Sequence, residues 1–282
     1  MTTNPSGSSD MSTPHGFKSS LEITHITTAT AIIDIDGVKF ITDPVFAPAG
    51  TEYPYPTTTL RLSDDPAIPL NALPAIDAVL LSHEDHEDNL DEFGRRLLDG
   101  RKVITTPDGA KNLSPRPDVR AVQPWETLDL IAGGKKFKIT GVPAIHLPGG
   151  ECTGFIISTE SFGHAANGLP NAIYFSGDTV YHSDLLKMNE KWHIVAAVLN
   201  LGNAHVPTDP SKPEDKLQIT MGGEDVARLV KELDADVLVP MHYQSWGHFT
   251  EGEEDLIRIF KQEDVEEKIR WLTPSGKSVK IF

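Results

Sequence analysis

The stretch IDAVLLSHEDHEDNLD, residues 76–91, runs from an apolar segment straight into a turn that carries His83, His86 and Asp88. IDAVLL reads as a buried strand. The same event recurs three times: His146 follows KITGVPAI, Asp178 follows IYFSG and His242 follows VLVPM. Strand ends are rigid, and the loops leaving them can converge on one edge of a sheet. Imidazole together with carboxylate suits zinc, manganese or iron. Each piece alone is ordinary, since acids favour a helix N-terminus and Ser-Gly-Asp is a common turn. Their recurrence in one strand-then-ligand order predicts a metal centre.

Outward from that stretch the chain alternates strands and helices. Upstream, LEITHI, TAIIDID and VKFITDP form an expected three-stranded meander about Gly37, and residues 44–74, rich in Pro and Thr, an expected surface loop bordering a site. Downstream, LDEFGRRLLDG has helical spacing, KVITT reads as a strand and DGAKNL as a short helix. Strands fill 119–178, and HIVAAVLNLG is another. GEDVARLVKELDA is an amphipathic helix before the strand DVLVPMHY; a helix over 252–263 and strands at IRWL and SVKIF follow. Two strand-rich halves punctuated by helices predict sheets covered by helices, in one domain over 21–282. The Ser-, Thr-, Pro- and Gly-rich residues 1–20 are expected to be a flexible tail.

Composition narrows the class. A formal net charge of −16 disfavours nucleic acid and anionic membrane as partners, because both are bound through basic surface. No stretch is apolar and long enough to span a bilayer. The single cysteine, Cys152, cannot form an internal disulfide, which suits a cytoplasmic location.

From THITTATAIIDIDGVKFITDPVF to VPMHYQSWGHFTEG, the sequence resembles the metallo-β-lactamase superfamily, most closely its ascorbate-phosphate-lactonase-like branch of metal-dependent hydrolases. The resemblance implies an α/β fold, a four-layer αββα sandwich, and hydrolysis by a metal-bound hydroxide. The family's first motif is H-x-H-x-D-H followed by Leu-Asp; its later ligands match His146, Asp178 and His242. Here the first motif departs from the pattern. Counting from His83 puts Asp85, Glu87 and Asp88 at the other positions; counting back from Leu90 and Asp91 leaves Glu84 and Asn89 where histidines belong. A one-residue bulge keeps His83, His86 and Asp88, and is the register adopted here. In every register one histidine is missing.

The implied ligands are therefore His83, His86, His146 and a bridging Asp178 for one metal, zinc before manganese or iron. Asp88, Asp178 and His242 would hold a second, with Asn89 in place of an imidazole. An amide oxygen is the weaker ligand, so one tight site and a weaker or absent second one are expected. Asp88 is the expected base and His248 an oxyanion donor or leaving-group acid. His25 and His205 are further candidates to line the mouth, with Tyr243 and Trp246 as walls. The branch favours a small cyclic ester or amide, so a lactonase or lactamase type; a phosphodiesterase is the alternative, and an eroded, non-catalytic small-molecule-binding site another. Homo-oligomers occur in the branch.

Overall fold

The computed structural model describes residues 14, 16–55, 59–147, 150–207, 209, 211–212 and 214–282. Strands β1 (Leu21–Thr27), β2 (Thr30–Ile35) and β3 (Val38–Thr42) form the expected meander. A short hairpin, β4 (Glu52–Pro54) and β5 (Thr59–Arg61), lies inside the expected loop. Then come β6 (Ala78–Leu80), α1 (Glu92–Leu97), β7 (Lys102–Thr105), α2 (Pro107–Asn112) and β8 (Val119–Ala121). The second half holds β9 (Thr127–Ala132), β10 (Lys135–Pro143), β11 (Thr153–Ser158), β12 (Asn171–Phe175) and β13 (His193–Asn200). It continues through β14 (His205–Pro207), β15 (Lys216–Gln218), α3 (Gly223–Glu232), β16 (Val237–Met241), α4 (Glu253–Gln262) and β17 (Val279–Lys280).

These strands build a seven-stranded sheet, ordered β17-β1-β2-β3-β6-β7-β8, and a six-stranded sheet, ordered β16-β13-β12-β11-β10-β9. Alternation along β1 and β2 turns Leu21, Ile23, Ile33 and Ile35 onto one face, where they meet Phe137, Ile139, Phe155 and Ile157 of the other sheet. Strands β11, β12 and β16 are buried along their whole length, as befits strands covered on both faces. The outer face of the six-stranded sheet packs on α3 and α4 through Val226, Val230, Leu256 and Phe260. The outer face of the other packs on the α1 side through Leu90, Leu97 and Leu98. Four layers result, helix, sheet, sheet, helix, as the resemblance implied.

Two expectations need correction. Residues 1–13 of the expected tail, and His15, lie outside the described residues, but Phe17 is buried between the rings of Phe162 and Phe282, at 5.0 and 5.4 Å. The packed chain therefore starts before Leu21. IRWL is not a strand: only Ile269 bridges Leu238, with Arg270 N–H donating to Leu238 O. The next hydrogen bond of a parallel ladder would need an N–H from Pro240, which has none. No helix of the described residues is long and apolar enough to cross a membrane.

Candidate metal centre

Strand direction explains why distant residues meet. Parallel pairing of β12 with β13 and of β13 with β16 sets the ends of these three strands side by side; β10 runs the same way, two antiparallel steps from β12. Asp178, Asn200, His242 and His146 thus leave one edge, the carboxyl end, where α/β folds place their sites. In the other sheet β3 and β6 are parallel, so Asp43 and Ser82 emerge together. Gly177 lets the two sheets close up there. Its φ is 55°, and a Cβ would lie 2.6 Å from Ser82 Cβ and 2.7 Å from Thr153 O. Only glycine accepts both the left-handed backbone and the contact.

Two clusters that could hold a metal ion form at this edge. His83, His86 and His146 make one; Asp88, Asp178 and His242 make the other, with donor atoms in each within 4.8 Å of one another. His83 Nε2 lies 3.0 Å from His86 Nδ1. His242 Nε2 lies 3.6 Å from Asp178 Oδ2 and 3.9 Å from Asp88 Oδ2, and finds no hydrogen-bond partner among the described residues although buried. His248 Nε2 lies 3.7 Å from the same Asp88 oxygen.

Surrounding groups orient the ligands. His83 Nδ1 contacts Ser82 Oγ at 2.9 Å, and Ser82 Oγ–H donates to Asp43 Oδ2 at 2.8 Å. When Asp43 is ionised, Ser82 donates to it, His83 Nδ1–H donates to Ser82 and Nε2 keeps its lone pair. His146 Nδ1–H donates to Ile219 O at 2.7 Å, which frees its Nε2 likewise. Asn200 Nδ2 donates to Asp178 Oδ1 at 2.7 Å. Asn89 Nδ2 donates to Asp43 Oδ2 at 3.1 Å.

The electrostatics match. Burial, with the His146 and His86 rings beside it, holds His83 well below the usual histidine range, and burial lowers His146 too. Both are then neutral near pH 7, the form that ligates metal. Burial works to raise Asp178, but His242, His146 and His83 pull it below the usual carboxylate range. An orphaned buried imidazole nitrogen among carboxylates fits a divalent metal, and these nitrogen and oxygen donors suit zinc, manganese or iron alike.

A cavity of about 280 Å³ adjoins His86 and is lined by Tyr53, Asp85, Glu87, Glu92 and Arg95. Arg95 is tied to the Glu84 carbonyl and carboxylate. The other described histidines sit apart from the clusters. His25 Nε2 donates to Thr28 O at 3.0 Å, the carbonyl that also receives His242 N–H, so His25 backs the site. His205 Nδ1 donates to Asn203 O, His182 Nε2 meets Pro143 O, His193 pairs with Asp236, and His164 bridges Pro170 in a hairpin. Tyr243 packs in the helix-side core and Trp246 against Leu60 and Leu62. Sequence reasoning missed Asp43, Ser82 and Asn200. Asp43 also follows a strand, in ITDP, which was the one available signal.

Two sheets enclosed by helices, with imidazole and carboxylate clusters at their common edge, fit a metal-dependent hydrolase. A family model described as a beta-lactamase superfamily domain matches residues 39–243, and the chain belongs to that superfamily. It is 28% identical over 201 residues to a UPF0173 metal-dependent hydrolase of Symbiobacterium thermophilum, covering 67% of this chain and 74% of that one. It is similar in structure to an isothiocyanate hydrolase from Delia radicum gut bacteria, with TM-score 0.73, 22% identity and coverage of 92% and 98%. A possible metal-dependent hydrolase from Veillonella parvula gives TM-score 0.72, 20% identity and coverage of 94% and 100%.

Proposed function

We propose that this chain hydrolyses a small cyclic ester or amide, as a lactonase or lactamase. The observation that carries this reading is the pairing of a three-imidazole cluster with the Asp88, Asp178 and His242 cluster at one strand edge. When bound there, a metal ion acidifies water and polarises the scissile carbonyl. Asp88 orients the attacking water, accepts its proton and returns it to the leaving oxygen or nitrogen. Asn200 fixes Asp178, and the Ser82–Asp43 relay fixes His83. Asp85, Glu87 and Glu92 in the cavity beside His86 favour an uncharged substrate over a phosphodiester, because Arg95 is already engaged by Glu84. The similar isothiocyanate hydrolase adds one more electrophilic carbon to test.

The experiment is elemental analysis before and after chelation, with a panel of lactones, lactams, phosphodiesters and isothiocyanates. Stoichiometric metal and chelator-sensitive opening of a lactone or lactam are expected. Asp88→Ala should stay folded by circular dichroism and lose turnover by about 10²–10⁴-fold. Unchanged turnover in that variant removes the base from Asp88, and a phosphodiester as the sole substrate overturns the substrate class. A folded protein with neither metal nor turnover points to the non-catalytic reading.

A further inference from the structure

The two clusters are unequal in one respect: the first has three imidazoles, whereas Asp88, Asp178 and His242 supply two carboxylates and a single imidazole. Asn89, where the first motif would place another histidine, has its amide nitrogen tied back to Asp43 at 3.1 Å. Another imidazole is close by. His248 Nε2 lies 3.7 Å from Asp88 Oδ2, the oxygen that also lies 3.9 Å from His242 Nε2. These separations are too long for hydrogen bonds. They are close to the spacing of two ligands on one tetrahedral ion, roughly 3.4 Å from metal–ligand bonds of about 2.1 Å. The His248 side chain is 9% exposed, and its Nδ1 is buried with no partner among the described residues. A buried imidazole nitrogen with no partner is rare in a folded protein, and a bound ion nearby is one of the things that account for it.

The loop that carries His248 is held on both sides. Ser63 N–H donates to Ser245 O at 2.8 Å, and Leu62 bridges Trp246, so the chain just after β5 grips its first half. Thr250 N–H donates to Gly202 O at 2.9 Å on the other side. Phe249 packs against both imidazoles, with ring centres 4.4 Å from His248 and 4.7 Å from His242. Gly202, at φ 97°, makes room for that ring: a Cβ there would lie 2.5 Å from Phe249 Cδ1.

We propose that His248 is the second imidazole ligand of the metal held by Asp88, Asp178 and His242, in place of the histidine missing from the first motif. It stands just outside the tight group of three, and its ring swings inward as the ion binds. His248 is then a metal ligand and not the acid or oxyanion donor expected from sequence, and the second site has a full set of donors. This rests on the proposed metal chemistry, but counting metal tests it apart from any substrate.

The test strips the full-length protein with a chelator and reloads it with zinc or cobalt(II). Bound metal is counted after gel filtration, affinities are read by competition with a chromophoric chelator, and the cobalt(II) absorption bands are recorded. Wild type should hold two ions. His248→Ala and His248→Gln should each hold one tightly, bind the other at least about 100-fold more weakly, and lose part of the cobalt spectrum. Asn89→Ala should hold both. Two histidine variants guard against one that misfolds, which circular dichroism reports. Wild type saturating at one ion, or either folded His248 variant holding two at wild-type affinity, overturns the assignment. So does loss of the second ion in Asn89→Ala alone. A chain that holds two ions through His248 yet opens no lactone or lactam upholds this site while sinking the substrate reading.

Discussion

Asp43 is buried, and three donors converge on its carboxyl group: Ser82 N–H at 2.7 Å, Ser82 Oγ–H at 2.8 Å and Asn89 Nδ2 at 3.1 Å. Burial, helped by the charge on Asp178, pushes its carboxyl up to about 8. Asp43→Ala strands all three donors, each of which costs about 1–3 kcal/mol when left unpaired in the interior. Removing Asp43 also releases the orientation of His83, so metal affinity should fall about 10–100-fold. Denaturant unfolding of the metal-free variant and chelator competition measure the two effects separately; wild-type values in both would make Asp43 a bystander. The two clusters could be anticipated because His83, His146, Asp178 and His242 each stand at or just past the end of an apolar run, with His86 and Asp88 in the turn after His83. Asp43, Ser82 and Asn200 were not, since one acid, one hydroxyl and one amide carry no pattern until strand pairing sets them beside a ligand.

The β13 and β16 strands begin next to a charged pair. His193 Nε2–H donates to Asp236 Oδ2 at 2.8 Å, and this bond raises the histidine above its usual range. A raised histidine stabilises the fold fully below about pH 6.5, its unfolded value, and that contribution is lost as pH rises through the folded value. His193→Gln should therefore cost up to about 1 kcal/mol at pH 5.5 and less at pH 9; a cost that grows with pH would reverse the assignment. Most elements could be read from their period, including the meander, α3 and the strand before each ligand. The exceptions have local causes. IRWL has the apolar look of a strand, but Pro240 on its neighbour lacks the donor that would extend the ladder. The β4–β5 and β14–β15 hairpins have strands of three residues each, too short for a period to show.

The interface between the sheets holds the molecule together. Phe40 and Phe137 meet edge to face across it with ring centres 5.0 Å apart, both almost fully buried. Phe40→Ala should cost about 3–5 kcal/mol in denaturant unfolding, because the cavity it leaves is walled by strands that cannot collapse. A loss below about 1 kcal/mol would mean that the two sheets repack freely. The four layers were legible from sequence in outline, through the resemblance and the alternation of strand-rich halves. The pairing of β17 with β1 was not, since it joins residues more than two hundred positions apart.

That the candidate ligands come from both sheets has a consequence in time. His83, His86 and Asp88 leave the ribosome among the first six strands of the seven-stranded sheet, whereas His242 follows roughly 8–30 s later at about 5–20 residues per second. Throughout that interval the nascent chain presents a half-built chelate, open to any ion that imidazole and carboxylate will take. If these residues hold the metal, neither cluster closes before the second sheet is made, so an ion bound by the early residues alone would lack the remaining donors.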